Sequence, residues 1–243
     1  MTHPTPTART PEIIGHRGAP RQRRENTLAA FARALELGAD AIELDVHATA
    51  DGVVVVHHDP VLGADAGPLR AARIATLGAT EVCGDWAATE DARIPTLEDV
   101  LSLVGDRATV YVEIKGVGIE RLVLDAIGGA AGARCAVHAF DHRVSRRARE
   151  LSASLPGGTL AAGVLVVSRL VDPVAPMRAA GARDLWQHWE LLDEDIVRSV
   201  HEYGGRVIAW TVNDAAAAVE FAWMGVDGLC TDVPDVVRAA LAR

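Results

Sequence analysis

The chain has 243 residues and a formal net charge of −9, and 49% of its residues are apolar against 23% charged. This apolar fraction is ordinary for a globular protein and excludes wholesale disorder, while no run approaches the roughly 20 apolar residues that cross a bilayer. The acidic balance argues against a protein that lives by neutralising nucleic-acid phosphates, so we expect neither a nucleic-acid partner nor integral membrane association.

The chain begins with residues 1–11, MTHPTPTARTP, which lack the apolar centre of a signal peptide. We expect these residues to be a disordered leader of a cytoplasmic protein, followed by one domain over residues 12–243.

From residue 12 onward, short β-branched runs alternate with helical patterns. Eight strand–helix units are the number that a (β/α)8 TIM barrel requires. A doubly wound open sheet would show the same alternation, but no GxGxxG follows an early strand to favour it. An Ala- and Gly-rich stretch at about residues 60–93 shows no clear period and predicts an insertion after the second strand. Strands are predicted at 13–14, 41–46, 108–114, 135–140, 160–167, 184–187, 206–212 and 228–230, and helices at 26–37, 96–104, 119–131, 144–154, 173–180, 193–203, 215–224 and 233–242.

A β-hairpin is predicted immediately after the second strand, because Asp51-Gly52 is a strong signal for a two-residue turn. Folding about that turn pairs Asp45 with His58. Residues two apart on a strand share a face, as do directly opposed residues. The predicted register therefore brings Glu43, Asp45 and His58 to one side and points His57 away.

Chemically competent side chains stand near the carboxyl ends of the predicted strands, where barrel enzymes place their catalytic groups. Two candidate histidines, three carboxylates and two cations would meet around one pocket there. Lys115 is the one lysine in the sequence, so a compact ammonium stands where the rest of the chain uses arginine. The positions that we collect are His16, Arg17, Glu43, Asp45, Glu113, Lys115, His138, His188 and Trp210, with His58 added by the hairpin.

Several motifs in this order resemble the glycerophosphodiester phosphodiesterase family, and they extend over nearly the whole chain. They are GHRGA at 15–19, ENT at 25–27, GADAIELDV at 38–46, DGVVVVHHDP at 51–60, IPTLEDVL at 94–101, VEIK at 112–115, WTVN at 210–213 and GVDGLCTDVP at 225–234.

The resemblance implies a TIM barrel that hydrolyses glycerophosphodiesters to glycerol 3-phosphate and an alcohol with the help of a divalent cation. It implies that the cation is held by Glu43, Asp45 and Glu113. It also implies roles at the other matching positions: His16 and His58 as the acid–base pair, and Arg17 and Lys115 as phosphate contacts. Trp210 is expected to bind substrate as an apolar wall for the glycerol, the alternative being that it only packs in the barrel.

The chemistry of these residue types agrees with those roles. Three carboxylates suit a hard cation such as Mg²⁺ or Ca²⁺, and two histidines can move the two protons that phosphodiester hydrolysis requires. Two alternatives remain. One is a lysophospholipase D-like or cyclic-phosphate-forming enzyme on the same barrel, which would need an apolar groove that no loop obviously supplies. The other is a non-catalytic phosphate-binding module, which would not need both histidines.

Overall fold

The computed structural model of the chain describes residues 10–63, 71–84, 93–155 and 157–242. The predicted leader falls almost entirely outside these residues, as do two parts of the predicted insertion, residues 64–70 and 85–92. In the described residues the strands are Glu12–His16 (β1), Ala41–Ala48 (β2), Val54–Val56 (β3), Val61–Leu62 (β4), Ala72–Arg73 (β5), Thr109–Ile114 (β6), Arg134–Ala139 (β7), Ala161–Val166 (β8), Asp184–His188 (β9), Arg206–Trp210 (β10) and Gly228–Thr231 (β11).

Helices alternate with the strands, and side-chain caps fix where several of them begin. Thr27 accepts a hydrogen bond from the backbone of Ala30, and Thr96 and Asp99 form a reciprocal capping box. Among the described residues the α-helices are Leu28–Glu36 (α1), Ala79–Gly84 (α2), Leu97–Val104 (α3), Glu120–Gly129 (α4), His142–Ser152 (α5), Val174–Ala180 (α6), Glu194–Tyr203 (α7), Ala215–Met224 (α8) and Pro234–Leu241 (α9). None of them is long and apolar enough to cross a membrane.

The sheet closes into a barrel, which confirms the predicted fold class. Its parallel strands follow the order β1, β2, β6, β7, β8, β9, β10, β11 and return to β1. The closing pair aligns Ile14 with Cys230, and β1 aligns His16 with Glu43 on its other side. The eight barrel strands are those predicted from the alternation of β-branched and helical segments.

Two apolar layers stabilise the barrel. The larger lies between strands and helices, and a smaller one fills the interior with side chains such as Tyr111, Trp186 and Ile208. The Tyr111 and Trp186 rings meet edge to face with centroids 5.1 Å apart. Because the interior is packed, a ligand has room only beyond the strand ends.

The hairpin after β2 exists, but its predicted register is wrong by one residue. The backbone N–H of Thr49 donates to Val53, so the loop holds three residues, and Gly52 takes the left-handed φ of 82° that such a loop needs. Val46 consequently opposes Val56. His57, whose N–H donates to the Asp45 carbonyl, stands opposite Asp45 in place of His58.

The described parts of the predicted insertion form a small layer beside the hairpin. Strands β4 and β5 pair antiparallel, and a 3₁₀ turn at Ile74–Thr76 leads into α2. Buried Leu62, Ile74 and Val82 pack there with Val55 of β3. This apolar cluster fixes the hairpin against the rest of the chain.

Candidate active site

The sequence-predicted carboxylates meet where the carboxyl ends of β1, β2 and β6 come together. Parallel pairing aligns Glu43 with His16 on one side, while Asp45 is aligned with Glu113 on the other. Glu43 and Asp45 lie within β2, because that strand continues past the barrel to pair with β3. All three carboxylate residues are at most 6% exposed. Their burial places three acidic side chains in a region of low polarity.

Asp45 is the most thoroughly compensated of these carboxylates. Its Oδ2 accepts a hydrogen bond from Asn26 at 2.9 Å and lies 3.1 Å from Arg17 Nε, and its Oδ1 lies 3.0 Å from Lys115 Nζ. Burial alone would raise the pKa of this carboxyl, but Lys115 and Arg17 outweigh burial and hold the pKa far below its usual range. Asp45 is therefore ionised at any physiological pH.

Glu113 shows the opposite shift although Lys115 Nζ lies 2.7 Å from its Oε1. Burial, together with repulsion from Asp45, raises the pKa of Glu113 from 4.5 to about 7. Lys115 contacts both Asp45 and Glu113. Burial lowers the pKa of its ammonium, but the two carboxylates outweigh burial and raise that pKa. With Arg17 and Lys115 as its cations, the site has more carboxylate than they neutralise.

Arg17 and Asn26 hold strained backbone at the edge of this cluster. Both have a positive φ, 54° and 56° respectively, which non-glycine residues rarely adopt. The conformation lets the Arg17 N–H donate to Glu43 Oε2 at 3.2 Å while its side chain reaches Glu25 at 3.0 Å. The Asn26 side chain therefore donates to Asp45, while Thr27 caps the first helix. In the sequence, a polar residue next to a helix cap gives little sign that it binds a carboxylate.

His138, which the sequence places at a strand end and to which the family resemblance gives no role, is part of the same cluster. Its strand, β7, pairs with β6 so that His138 is aligned with Glu113, and the His138 side chain is 1% exposed. Its Nε2 lies 3.7 Å from Glu43 Oε1, and Glu43, Glu113 and His138 each offer a donor atom within 4.8 Å of the others. Carboxylate and imidazole donors in such a group are compatible with a divalent cation.

His16 is held by a residue from the far end of the chain. Its Nδ1 lies 2.7 Å from Asp232 Oδ1, and Asp232 Oδ2 accepts a hydrogen bond from Asn213 at 2.7 Å. Burial lowers the pKa of His16, but the hydrogen bond to Asp232 and the nearby Glu43 outweigh burial, so the pKa is raised. Asp232 lies in the TDVP motif, which is the sequence signal that could have identified it.

Among the described residues no hydrogen bond or ion pair joins His58 to Glu43, Asp45 or Glu113. Strand β3 ends at Val56, and the His57 N–H still bonds to the Asp45 carbonyl, so His58 follows the paired residues of the hairpin. His58 Nδ1 lies 2.8 Å from Asp59 Oδ1, and its carbonyl oxygen lies 3.0 Å from the Nε2 of His47. Because the predicted register is wrong, the assignment of His58 rests on its place in the motif alone.

Trp210 stands in an aromatic wall beside the cluster. Its ring lies 5.5 Å from that of Phe140 and 5.4 Å from that of His188, and the Lys115 ammonium lies 5.7 Å from the Phe140 centroid. Further apolar side chains stand exposed on the loops after β6 and β8, namely Val117, Val167 and Val171. The aromatic wall and these loops give an apolar surface to one side of the barrel's mouth, which is its opening at the carboxyl ends of the strands.

Comparison with known proteins identifies the family. The sequence model described as the glycerophosphoryl diester phosphodiesterase family matches residues 16–236. A glycerophosphodiester phosphodiesterase of Caldanaerobacter subterraneus is 33% identical to this chain, covering 93% of this chain and 95% of that protein.

Solved structures agree on the fold. A glycerophosphodiester phosphodiesterase from Thermotoga maritima has a TM-score of 0.77 and 26% identity, over 97% of this chain and 99% of that chain. A phosphodiesterase from Oleispira antarctica, solved with the product sn-glycerol-3-phosphate, has a TM-score of 0.84 over 96% of this chain and 98% of that chain, at 22% identity. The chain belongs to the glycerophosphoryl diester phosphodiesterase family, and so to the phosphoric diester hydrolases.

Proposed function

We propose that this protein hydrolyses glycerophosphodiesters to glycerol 3-phosphate and an alcohol in a reaction that depends on a divalent cation. The observation that carries the proposal is the buried carboxylate cluster in which the pKa of Glu113 is raised to about 7. In such a site, burial and repulsion disfavour ionisation of the third carboxyl, and a bound cation would offset both effects. The same cation would offset the negative charge of a phosphodiester.

Glu43, Asp45 and Glu113 would hold the cation, and a set of oxygen donors favours Mg²⁺ or Ca²⁺. When bound, such a cation polarises phosphoryl oxygens and lowers the pKa of a bound hydroxyl or water. Asp45 brings its charge at every relevant pH, whereas Glu113 would lose its proton as the cation enters.

Arg17 and Lys115 would orient the phosphate and oppose its charge. The Arg17 and Lys115 side chains lie at the edge of the cluster and are less than a fifth exposed, so solvent screens their charges little. Burial disfavours the charged form of each side chain, but the neighbouring carboxylates outweigh burial and raise both pKa values, so neither group is a proton donor near neutral pH. Their role is electrostatic.

His16 and His58 would move the two protons. In-line displacement places the entering and leaving oxygens on opposite sides of phosphorus, so one histidine cannot readily serve both. The hydrogen bond to Asp232 fixes which nitrogen of His16 faces the site. The entering oxygen is either water or the glycerol 2-hydroxyl, which would give a cyclic phosphate before water opens it.

The test supplies glycerophosphocholine and glycerophosphoethanolamine to the purified protein with Mg²⁺ or Ca²⁺ and measures glycerol 3-phosphate. We expect glycerol 3-phosphate to form with either cation, and none to form after the cation is removed with a chelator. Glu113→Gln should lose activity, while the exposed control Glu98→Gln should keep it. Binding of the diesters without turnover would instead identify a phosphate-binding module.

A lysophospholipase D-like activity is the second candidate, and the apolar surface at the mouth favours it. Val117 is 75% exposed, Phe140 45% and Val167 57%, on three successive loops of the barrel. Such side chains could accept an acyl chain, for which the sequence offered no obvious groove. Release of lysophosphatidic acid from lysophosphatidylcholine would support this candidate, and turnover of the glycerol diesters alone would exclude it.

A further inference from the structure

We infer that His138 is a direct ligand of the cation, and that the site consequently binds Mn²⁺ and Co²⁺ more tightly than Mg²⁺ and Ca²⁺. The inference rests on the cation dependence proposed above. It changes the expected ligand set from oxygen alone to oxygen with one imidazole nitrogen.

The first support is the position of the imidazole. His138 comes from β7, next to Glu113 in β6, and its Nε2 lies 3.7 Å from Glu43 Oε1. That separation is too long for a hydrogen bond. It is close to the spacing of two donors on one ion, since metal–ligand bonds of about 2.1 Å to each donor span it.

The second support is that His138 lacks the partners of an ordinary core histidine. The side chain is 1% exposed, and neither ring nitrogen makes a hydrogen bond among the described residues: Nδ1 has no partner, and Nε2 lies 3.7 Å from Glu43 Oε1. Buried polar atoms are nearly always paired, so an imidazole whose Nε2 faces a carboxylate without bonding to it needs a reason. A cation held with Glu43 and Glu113 would give Nε2 a partner.

The third support is that the surroundings fix the ring's plane. The His138 ring stacks on Trp186 with centroids 4.2 Å apart and planes 12° apart. Gly163, the strand neighbour of His138, makes this possible, because a Cβ there would stand 2.8 Å from the Trp186 ring. A ring held by stacking is oriented before any cation arrives.

The donor set decides the preferred cation. Imidazole suits first-row transition metals, whereas Mg²⁺ and Ca²⁺ prefer oxygen ligands. Replacing the nitrogen by an amide should therefore weaken Mn²⁺ and Co²⁺ binding far more than Mg²⁺ binding.

The experiment uses the full chain freed of metal with a chelator, as wild type, His138→Gln and the control His201→Gln. His201 lies in α7 and contacts Asp227 at the opposite end of the barrel. Pulsed electron paramagnetic resonance of bound Mn²⁺ should show ¹⁴N modulation in wild type and His201→Gln and lose it in His138→Gln. Thermal melting of each variant establishes that it is folded.

Affinities complete the test. We expect His138→Gln to weaken Mn²⁺ binding by about 10- to 100-fold, as is usual for a lost ligand or its support, and Mg²⁺ binding by less than about 3-fold. Equal losses for both cations, or ¹⁴N modulation that persists in His138→Gln, would mean that His138 only supports Glu43. Bound Mn²⁺ without nitrogen modulation in wild type overturns this inference alone, whereas absence of any cation binding overturns the proposed cation dependence as well. If His138→Gln does not fold, the wild-type spectrum still decides.

Discussion

Asp232→Asn should slow catalysis by removing the charge that holds His16. The two side chains are 20% and 17% exposed and lie 2.7 Å apart, so their hydrogen bond is only weakly screened. A hydrogen bond to a charged group contributes about 1.5–3 kcal/mol, which corresponds to about a 10- to 150-fold fall in kcat. KM should change little, because among the described residues no hydrogen bond or ion pair joins Asp232 to Arg17 or Lys115, the proposed phosphate contacts.

The pH profile separates this positioning role from a structural one. The carboxylate raises the pKa of His16, since it favours the imidazolium. Without that charge the pKa falls, so the limb of the kcat/KM profile that reports His16 should move to lower pH in Asp232→Asn.

Asp235→Asn is the matched control, because it removes the same charge three residues further on, where the carboxylate accepts a hydrogen bond from Gln22 at 3.3 Å. The reasoning is refuted if Asp232→Asn loses activity with an unmoved pH profile, or if both variants lose the same activity.

Three further predictions concern the hairpin, the interior and the carboxylate cluster. Because the place of His58 in the family motif, and not the hairpin register, assigns proton transfer to it, His58→Ala should lower kcat by about 100-fold or more. His57→Ala should change kcat only a few-fold, as steady-state kinetics of the two variants will show. Gly163→Ala should lower the free energy of unfolding by about 1–3 kcal/mol, measured by denaturant titration, because the new Cβ would stand 2.8 Å from Trp186. The raised pKa of Glu113 predicts that the cation-free protein loses stability relative to Glu113→Gln as the pH rises from about 5 to 8, because the native state keeps a proton that the unfolded chain has released; melting curves across that range will measure the difference.

Each of these has an outcome that contradicts it. A larger loss in His57→Ala than in His58→Ala would give the proton-transfer role to the histidine opposite Asp45. For the glycine, Gly129→Ala is the control, because a Cβ at Gly129 meets nothing within 4 Å. Equal effects of the two glycine substitutions would remove the packing explanation, and a pH-independent difference between wild type and Glu113→Gln would mean that Glu113 is ionised throughout.

The barrel strands could be predicted because each is a short β-branched run between two helical patterns, and local sequence carries that information. The hairpin register could not, since it depends on whether the loop around Asp51 and Gly52 holds two residues or three. The hydrogen bond from the Thr49 N–H to Val53 decides in favour of three, and Asp51 lacks the positive φ that a two-residue type I′ turn would need there. A shift of one residue exchanges the faces of every side chain in the strand.

The site was predictable only in part, for a related reason. Glu43, Asp45 and Glu113 were placed together by the rule that strand ends converge. A buried histidine such as His138 looks like a core residue until the carboxylates around it are known. Asp232 was missed because its partner lies 216 residues away in sequence, and nothing local marks such a pair.

That separation has a consequence for the order in which the protein becomes competent. His16 leaves the first barrel strand and Asp232 follows the last, and the two meet only when β11 pairs with β1. During synthesis, nearly the entire polypeptide must emerge before His16 can contact Asp232. Long-range contacts of this kind form late and slowly. A nascent or truncated chain that lacks the final strand and its loop would therefore carry the other groups of the cluster without the carboxylate that orients His16. The pairing of β11 with β1 thus also determines when the His16 ring acquires its orientation.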